Sequence, residues 1–150
     1  MSDLICRRTT IDEIYELRFA VLRPGLTLMK LHFVGDGDEP PRTWHFGAFM
    51  PGRGEPVGCL TLFASEWEGR SAIQLRGMAV AAEWRGTGVG TKLLQAAEEE
   101  IAAHAEARMW TWWCNARVEA VEFYERNGWR VVSEEFVIEG VGPHRKMVRG

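Results

Sequence analysis

The segment Arg85-Gly86-Thr87-Gly88-Val89-Gly90-Thr91 is the most informative part of the chain, because it separates a strand-like run at residues 73–80 from an amphipathic helix that begins at Thr91. We call residues 85–91 the glycine turn. Glycines let the backbone approach a ligand without a Cβ in the way, and the N–H groups at the start of a helix carry a partial positive charge. The glycine turn therefore predicts a binding site for a phosphate or pyrophosphate.

Spacing separates three kinds of phosphate loop. The ATP-type loop needs a lysine directly after its last glycine and then Ser or Thr, whereas this chain has Gly90-Thr91-Lys92. The dinucleotide fingerprint needs G-x-G-x-x-G, and Gly86, Gly88 and Gly90 give G-x-G-x-G instead. The third kind of phosphate loop has the pattern Arg-x-x-Gly-x-Gly, and the chain matches it from Arg85 through Gly88 to Gly90. A glycine-rich turn without a ligand stays open as the alternative.

Length and composition limit the class of protein. The 150 residues, 46% of them hydrophobic, suffice for one domain with one core, which we place at residues 1–150. A net charge of -3 argues against nucleic acid as the main ligand. Cys6, Cys59 and Cys114 are odd in number and widely spaced, so neither a disulfide framework nor a metal site is predicted. No secretion signal and no apolar run of about 18 residues occurs, so we expect a cytoplasmic protein without membrane contact.

Hydrophobic periodicity and turn residues predict the elements. Three helices are expected, at residues 11–22, from 91 to about 104–108, and at 118–127. Strands are expected at residues 4–8, 44–50, 57–64, 72–80, 109–114, 129–137 and 144–148. An irregular connection at residues 23–42 follows the first helix. This order indicates an α+β, or mixed α/β, sheet that is partly antiparallel.

A second motif, Asn115-x8-Tyr124, lies where the chain enters and continues the third helix. Together with the glycine turn and the order of elements, it resembles the GNAT superfamily of N-acetyltransferases over nearly the whole chain. The resemblance implies a single GNAT-like domain with a central mixed, mostly antiparallel sheet of six to seven strands and helices on both faces. It also implies that the strand before the glycine turn and the strand after the next helix splay apart at their ends.

The resemblance implies acetyl-coenzyme A as co-substrate and assigns residues to hold it. Backbone groups that would bind the pantetheine arm and the thioester carbonyl belong to Met78, Ala79 and Val80. Positions that would hold the pyrophosphate are Arg85, Gly86, Gly88, Val89, Gly90 and Thr91. Asn115 would hydrogen-bond the pantetheine arm, and Tyr124 would place its hydroxyl near the thioester sulfur.

The resemblance gives Tyr124 the role of general acid. A tyrosine with a pKa of about 10 is protonated at neutral pH, and the departing thiol has a pKa of about 8.5, so the hydroxyl can donate to the sulfur. The alternative is that Tyr124 only packs in the core.

The general base is not identified by the sequence. In the histone-acetylating branch of the family, a glutamate stands six residues ahead of the position equivalent to Val80, and here that position is Gln74, which cannot accept a proton. A base that acts through water is expected instead. The candidates are Glu66, Glu68, His45 and His144.

In the family, the irregular connection and the closing hairpin at residues 140–147 frame the acceptor site. Two interpretations stay open for the carboxylates of these segments, binding of a cationic amine or plain solvation; they are Asp36, Asp38, Glu39, Glu134, Glu135 and Glu139. The partner is expected to be a small-molecule amine or an amine of a peptide or protein, and a homodimer stays open. The resemblance thus predicts an acetyl-coenzyme A-dependent N-acetyltransferase that works by direct attack of a primary amine. The alternative is a coenzyme A-binding sensor or interaction module without turnover.

Overall fold

The computed structural model describes residues 3–22 and 33–149. Within these ranges the chain forms three α-helices, α1 (Ile11–Leu22), α2 (Val89–Ala102) and α3 (Val121–Arg126). The strands are β1 (Ile5–Thr9), β2 (Thr43–Phe49), β3 (Gly58–Trp67), β4 (Arg70–Val80), β5 (Thr111–Arg117), β6 (Trp129–Val131), β7 (Phe136–Ile138) and β8 (Gly142–Arg149). The first ten residues of the irregular connection, 23–32, lie outside the described part.

All strands belong to one mixed sheet of eight strands. Its order is β1-β2-β3-β4-β5-β8-β6, with β7 also paired to β8. Every pairing is antiparallel except that of β4 with β5, which are parallel because α2 lies between them in the chain. The predicted mixed, mostly antiparallel α+β sheet is confirmed.

One predicted strand, at residues 129–137, is two strands in the structure. The ladder between this segment and β8 ends where the Val132 N–H donates to the Lys146 carbonyl at 2.9 Å. The Lys146 N–H then donates to the side-chain Oγ of Ser133 at 2.8 Å, in place of a backbone carbonyl. A side chain that takes over a backbone partner interrupts the strand, and the sheet therefore has eight strands rather than six to seven.

Helices cover both faces of the sheet, as predicted. On one face, α2 buries the apolar stripe Leu93, Leu94, Ala97 and Ile101 against the strands. On the other face, α1 packs Ile14 against Cys59 and Ala79. No helix in the described ranges is long and apolar enough to cross a membrane.

The sheet opens between β4 and β5. Their ladder runs from the pair Ala72–Thr111 to the pair Leu75–Cys114, and beyond it the two strands have no further pairing. A β-bulge bends β4 just past this point, because its register with β3 shifts between Cys59 and Thr61. Gly77 lies in the bulge with φ of +64°, a conformation that glycine adopts without strain. The splay that the resemblance implied is thus present, and we call it the split.

Candidate active site

A cavity of about 800 Å³ occupies the split. Its walls come from β4, β5, the glycine turn, the first turn of α2, and α3. All residues predicted to bind the co-substrate line this one cavity; they are Met78, Ala79, Val80, Arg85, Gly86, Gly88, Val89, Gly90, Thr91, Asn115 and Tyr124. The fold thus brings together residues that are up to 46 positions apart in sequence.

The glycine turn has the backbone conformation of an anion-binding loop. Gly86 and Gly88 have φ of +76° and +90°, and Gly88 is the N-cap of α2. The Lys92 N–H donates to the Gly88 carbonyl at 3.1 Å, so the N–H groups that precede it in the first turn have no acceptor within the helix. The first turn of α2 contains no acidic residue, and positive potential is therefore left at this end of the cavity.

Gly90 has a second, structural reason to be glycine. A Cβ at this position would lie 2.9 Å from Cζ of Phe123, closer than atoms in contact allow. The absence of a side chain lets α2 begin directly beside α3. The sequence motif alone did not separate this packing requirement from ligand binding.

Met78, Ala79 and Val80 present a free strand edge to the cavity. On one side β4 stays paired with β3 as far as the pair Gly58–Val80, whereas on the side of β5 its pairing ends at Leu75. Met78, Ala79 and Val80 are therefore not paired with β5, and the Val80 carbonyl accepts a hydrogen bond from Arg85 Nε at 3.3 Å. An extended ligand with amide groups can pair with such an edge.

Tyr124 lies at the base of the split and is only 6% exposed. Its ring packs between Phe123 and Trp129, with centroids 5.3 and 5.2 Å away, and its hydroxyl donates to the Met78 sulfur over 3.6 Å. Burial, and secondly the nearby Cys114 thiol, raise the pKa of Tyr124 above its ordinary value. The hydroxyl thus keeps its proton at neutral pH.

Asn115 lines the cavity and its Oδ1 accepts a hydrogen bond from Lys146 Nζ at 3.0 Å. The Lys146 ammonium also lies over the rings of Trp113 and Phe136, 4.8 and 5.4 Å from their centroids. Lys146 faces Asn115 in the β5–β8 ladder. Sequence reasoning missed Lys146, because only the register of two strands 31 positions apart brings it there.

Of the four predicted candidate bases, His144 lines the cavity. Its ring is 4% exposed and stacks on Phe136. Nδ1 lies 2.7 Å from the Gly142 carbonyl, and because a carbonyl only accepts, Nδ1 carries the proton. In the neutral ring Nε2 then bears the lone pair, which is the form that a base requires.

The other three candidates lie elsewhere. Glu66 and Glu68 are at the end of β3 and in the turn to β4, away from the cavity lining. His45 is buried on β2, where Nδ1 lies 2.8 Å from Thr61 Oγ1 and Nε2 2.8 Å from the Asp36 carbonyl. Both of its nitrogens are thus occupied within the core.

The six carboxylates considered for binding a cationic amine do not line the cavity. Asp36 is buried in an ion pair with Arg18, with N–O distances of 2.7 and 3.2 Å, so the expectation for Asp36 is wrong. Phe33 of the connection and Ile138 and Val141 around the closing hairpin do line the cavity. Besides Arg85, which was predicted, the charged residues that line the cavity were missed by sequence reasoning; they are Arg76, Arg117, Glu119 and Arg126.

Comparison with known proteins identifies a family. Residues 44–131, more than half of the chain, match the family model described as the acetyltransferase (GNAT) domain. The chain is also similar to the uncharacterised N-acetyltransferase YitI of Bacillus subtilis, with 29% identity over 144 residues that cover 93% of this chain and 91% of YitI.

Solved structures share the fold. Escherichia coli ElaA superposes with a TM-score of 0.77 at 18% identity, covering 98% of this chain and 99% of ElaA. An aminoglycoside 6'-N-acetyltransferase complexed with coenzyme A gives a TM-score of 0.67 at 16% identity, with 97% and 98% of the two chains covered. At these identities the likeness concerns the fold alone.

Proposed function

Because the chain belongs to the GNAT family of acetyltransferases and is an acyltransferase enzyme, we propose that it transfers the acetyl group of acetyl-coenzyme A to a primary amine by direct attack. One observation carries this proposal. A single cavity joins the glycine turn, the free edge of β4 and the Tyr124 hydroxyl, which are the three parts that the reaction needs.

The residues present fit coenzyme A. The left-handed Gly86 leaves open space where a Cβ would stand, and the first turn of α2 offers N–H groups to a pyrophosphate. The free edge of β4 at Met78, Ala79 and Val80 suits the amide groups of the pantetheine arm, with Asn115 on the opposite wall. The bound coenzyme A in the aminoglycoside 6'-N-acetyltransferase of the same fold supports this choice of ligand.

Acetyl-coenzyme A supplies an activated acyl group and a thiol leaving group when it is bound. Tyr124 holds a proton on Oη at the base of the split and donates it toward the departing sulfur. No cysteine suits an acyl-enzyme route, because burial raises the pKa of the cavity-lining Cys114 to about 12 and it stays a thiol at neutral pH. Direct attack by the amine is therefore favoured.

The attacking amine must first lose a proton, since an alkylammonium has a pKa of about 10.4. His144 is placed for this task, because its Nδ1–H is held by the Gly142 carbonyl and Nε2 is left as the proton acceptor. Its position on β8 is opposite Arg117 of β5, next to the split. The proton would move from the amine to Nε2 directly or through one water.

The test is release of coenzyme A thiol from acetyl-coenzyme A in the presence of a panel of amines, with coenzyme A affinity measured by calorimetry on the same preparation. We expect micromolar binding and amine-dependent thiol release. A chain that binds coenzyme A but releases no thiol with any amine would contradict transfer, and a chain without affinity for coenzyme A would contradict the site.

A further inference from the structure

Positively charged side chains line the end of the cavity on the α1 face of the sheet. Arg117 donates a hydrogen bond from Nη2 to the Leu22 carbonyl, at the C-terminal end of α1. Arg76 lies over the ring of Phe33, 4.0 Å from its centroid, and Arg18 of α1 lies over the same ring. Arg117 and Arg76 thus face α1, and both line the cavity.

The two arginines flank the split. The last pair between β4 and β5 is Leu75–Cys114. Arg76 directly follows Leu75, and Arg117 lies three residues beyond Cys114. His144 is opposite Arg117 in the β5–β8 ladder. A group bound between these side chains would therefore lie beside the candidate base.

The guanidinium groups are held in place by the contacts of Arg117 with the Leu22 carbonyl and of Arg76 with Phe33. A held guanidinium loses little conformational freedom when it binds a further partner. Lys146, bound to Asn115, adds positive charge on this side. Among the described residues that line the cavity, Glu119 alone carries a carboxylate, and it lies in the turn that enters α3 rather than at the α1 end.

We propose that the acceptor amine also carries an anionic group, a carboxylate or a phosphate, and that Arg117 and Arg76 bind this group. The inference rests on the proposed function and narrows its substrate class. The planar guanidinium matches both anions through paired hydrogen bonds. Polyamines and other purely cationic amines are disfavoured, because they would place like charges together at this end of the cavity.

Matched ligands test the proposal on the protein saturated with coenzyme A. The panel consists of the twenty common amino acids, the amide of each, O-phosphoethanolamine and ethanolamine. Binding is measured by calorimetry, and thiol release is measured separately with acetyl-coenzyme A. The amine of an amino acid amide is less basic than that of the free acid, so proton availability alone would favour the amide and works against the expected result.

We expect at least one amino acid, or O-phosphoethanolamine, to bind about tenfold or more tightly than its neutral partner. A difference between an amino acid and its amide would identify the anionic group as a carboxylate, and a difference between O-phosphoethanolamine and ethanolamine would identify it as a phosphate. Equal binding within every pair, or binding of no acid and no phosphate, overturns the inference. Selective binding without thiol release supports the inference and contradicts the proposed transfer, so the two failures are distinguishable.

Two variants connect the selectivity to the arginines. Arg117→Gln and Arg76→Gln should each weaken the selected anionic ligand about tenfold to a hundredfold, because a hydrogen bond between charged partners is lost. Affinity for its neutral partner should change little. Arg130→Gln, an exposed change on β6 outside the cavity lining, is the control with the same loss of charge. Equal losses of affinity for the anionic ligand in all three variants would mean a long-range charge effect and would overturn the assignment to Arg117 and Arg76. Thermal unfolding checks that each variant is folded.

Discussion

Tyr124 combines a structural and a chemical role in one side chain. Its ring fills the core between Phe123 and Trp129, and only its hydroxyl is available for chemistry. Tyr124→Phe keeps the ring and removes the proton. We expect the affinity for acetyl-coenzyme A to stay within about twofold and turnover to fall by roughly 10²–10⁴-fold.

The measurement is the steady-state rate at saturating acetyl-coenzyme A, with an amine that the wild type accepts. A wild-type rate in Tyr124→Phe would mean that the thiolate leaves without this proton and that Tyr124 is a packing residue. A collapse of cofactor affinity would instead indicate that the hydroxyl positions the pantetheine arm.

His144 is tested by the shape of its pH profile. His144→Gln keeps a side chain that can donate to the Gly142 carbonyl and removes the proton acceptor Nε2. At pH 7 we expect kcat/KM to fall by roughly 10²–10⁴-fold, and we expect the deficit to shrink as the pH approaches the amine pKa of about 10.4, where free amine is abundant. A deficit that is the same from pH 7 to pH 9.5 would contradict a role as base and indicate a positioning role.

At the scale of elements, the N-terminus of α2 is expected to provide the anion site. Gly88→Asp and Gly88→Asn introduce side chains of nearly the same shape at a residue with φ of +90°, a conformation that both residues tolerate better than most. They differ by one negative charge. We expect Asn to weaken coenzyme A binding and Asp to weaken it at least about tenfold further, because of repulsion of the pyrophosphate.

Calorimetry on both folded variants measures this difference. If Gly88→Asp binds coenzyme A as well as Gly88→Asn does, the glycine turn does not hold the pyrophosphate. Matching unfolding temperatures would show that strain at residue 88 is the same in the two proteins.

The elements could be predicted where local pattern determines them. The range 11–22 predicted for the first helix is that of α1. The positive-φ Gly86 and Gly88 precede α2, which begins at Val89 and ends at Ala102, earlier at both ends than the predicted range from 91 to about 104–108. The break between β6 and β7 could not be predicted, because it depends on the Ser133 side chain meeting a strand that is far along the chain. Asn115 and Tyr124 could be identified because they belong to a local sequence motif. Arg76, Arg117 and Lys146 could not, because they reach the site only through the pairing of β4, β5 and β8.

At the scale of the whole molecule, a buried polar network ties the connection after α1 to the sheet. Arg18 of α1 bonds Asp36 and, at 2.8 Å, Thr61 of β3, and His45 of β2 contacts both Thr61 and the Asp36 carbonyl. Arg18 is completely buried, so removal of Asp36 would take the carboxylate away from a buried guanidinium, at a cost of about 3–5 kcal/mol. The network therefore holds the described part of the connection, residues 33–42, to the sheet, and Phe33 of this part forms part of the cavity wall.

His45 makes the stability of this network depend on pH. Burial lowers the pKa of His45 below its ordinary value of 6.5 and the Arg18 charge adds to this, although the hydrogen bond to the Asp36 carbonyl and the Asp36 carboxylate oppose it. Below pH 6.5 the unfolded chain therefore binds a proton at His45 more readily than the folded protein does. The contribution of His45 is complete above that pH and is lost as the pH falls from there toward the lowered pKa.

The prediction compares wild type with His45→Gln by urea unfolding at pH 7.5 and pH 5.5. At pH 7.5 the variant should be less stable, because it loses hydrogen bonds in the core at about 0.5–1.5 kcal/mol each. At pH 5.5 the gap should narrow, since only the wild type bears the cost of keeping His45 neutral. The comparison cancels the titration of other groups that both proteins share. A gap that stays constant or widens on acidification would mean that His45 is protonated in the folded protein, with the Asp36 carboxylate rather than burial controlling its pKa.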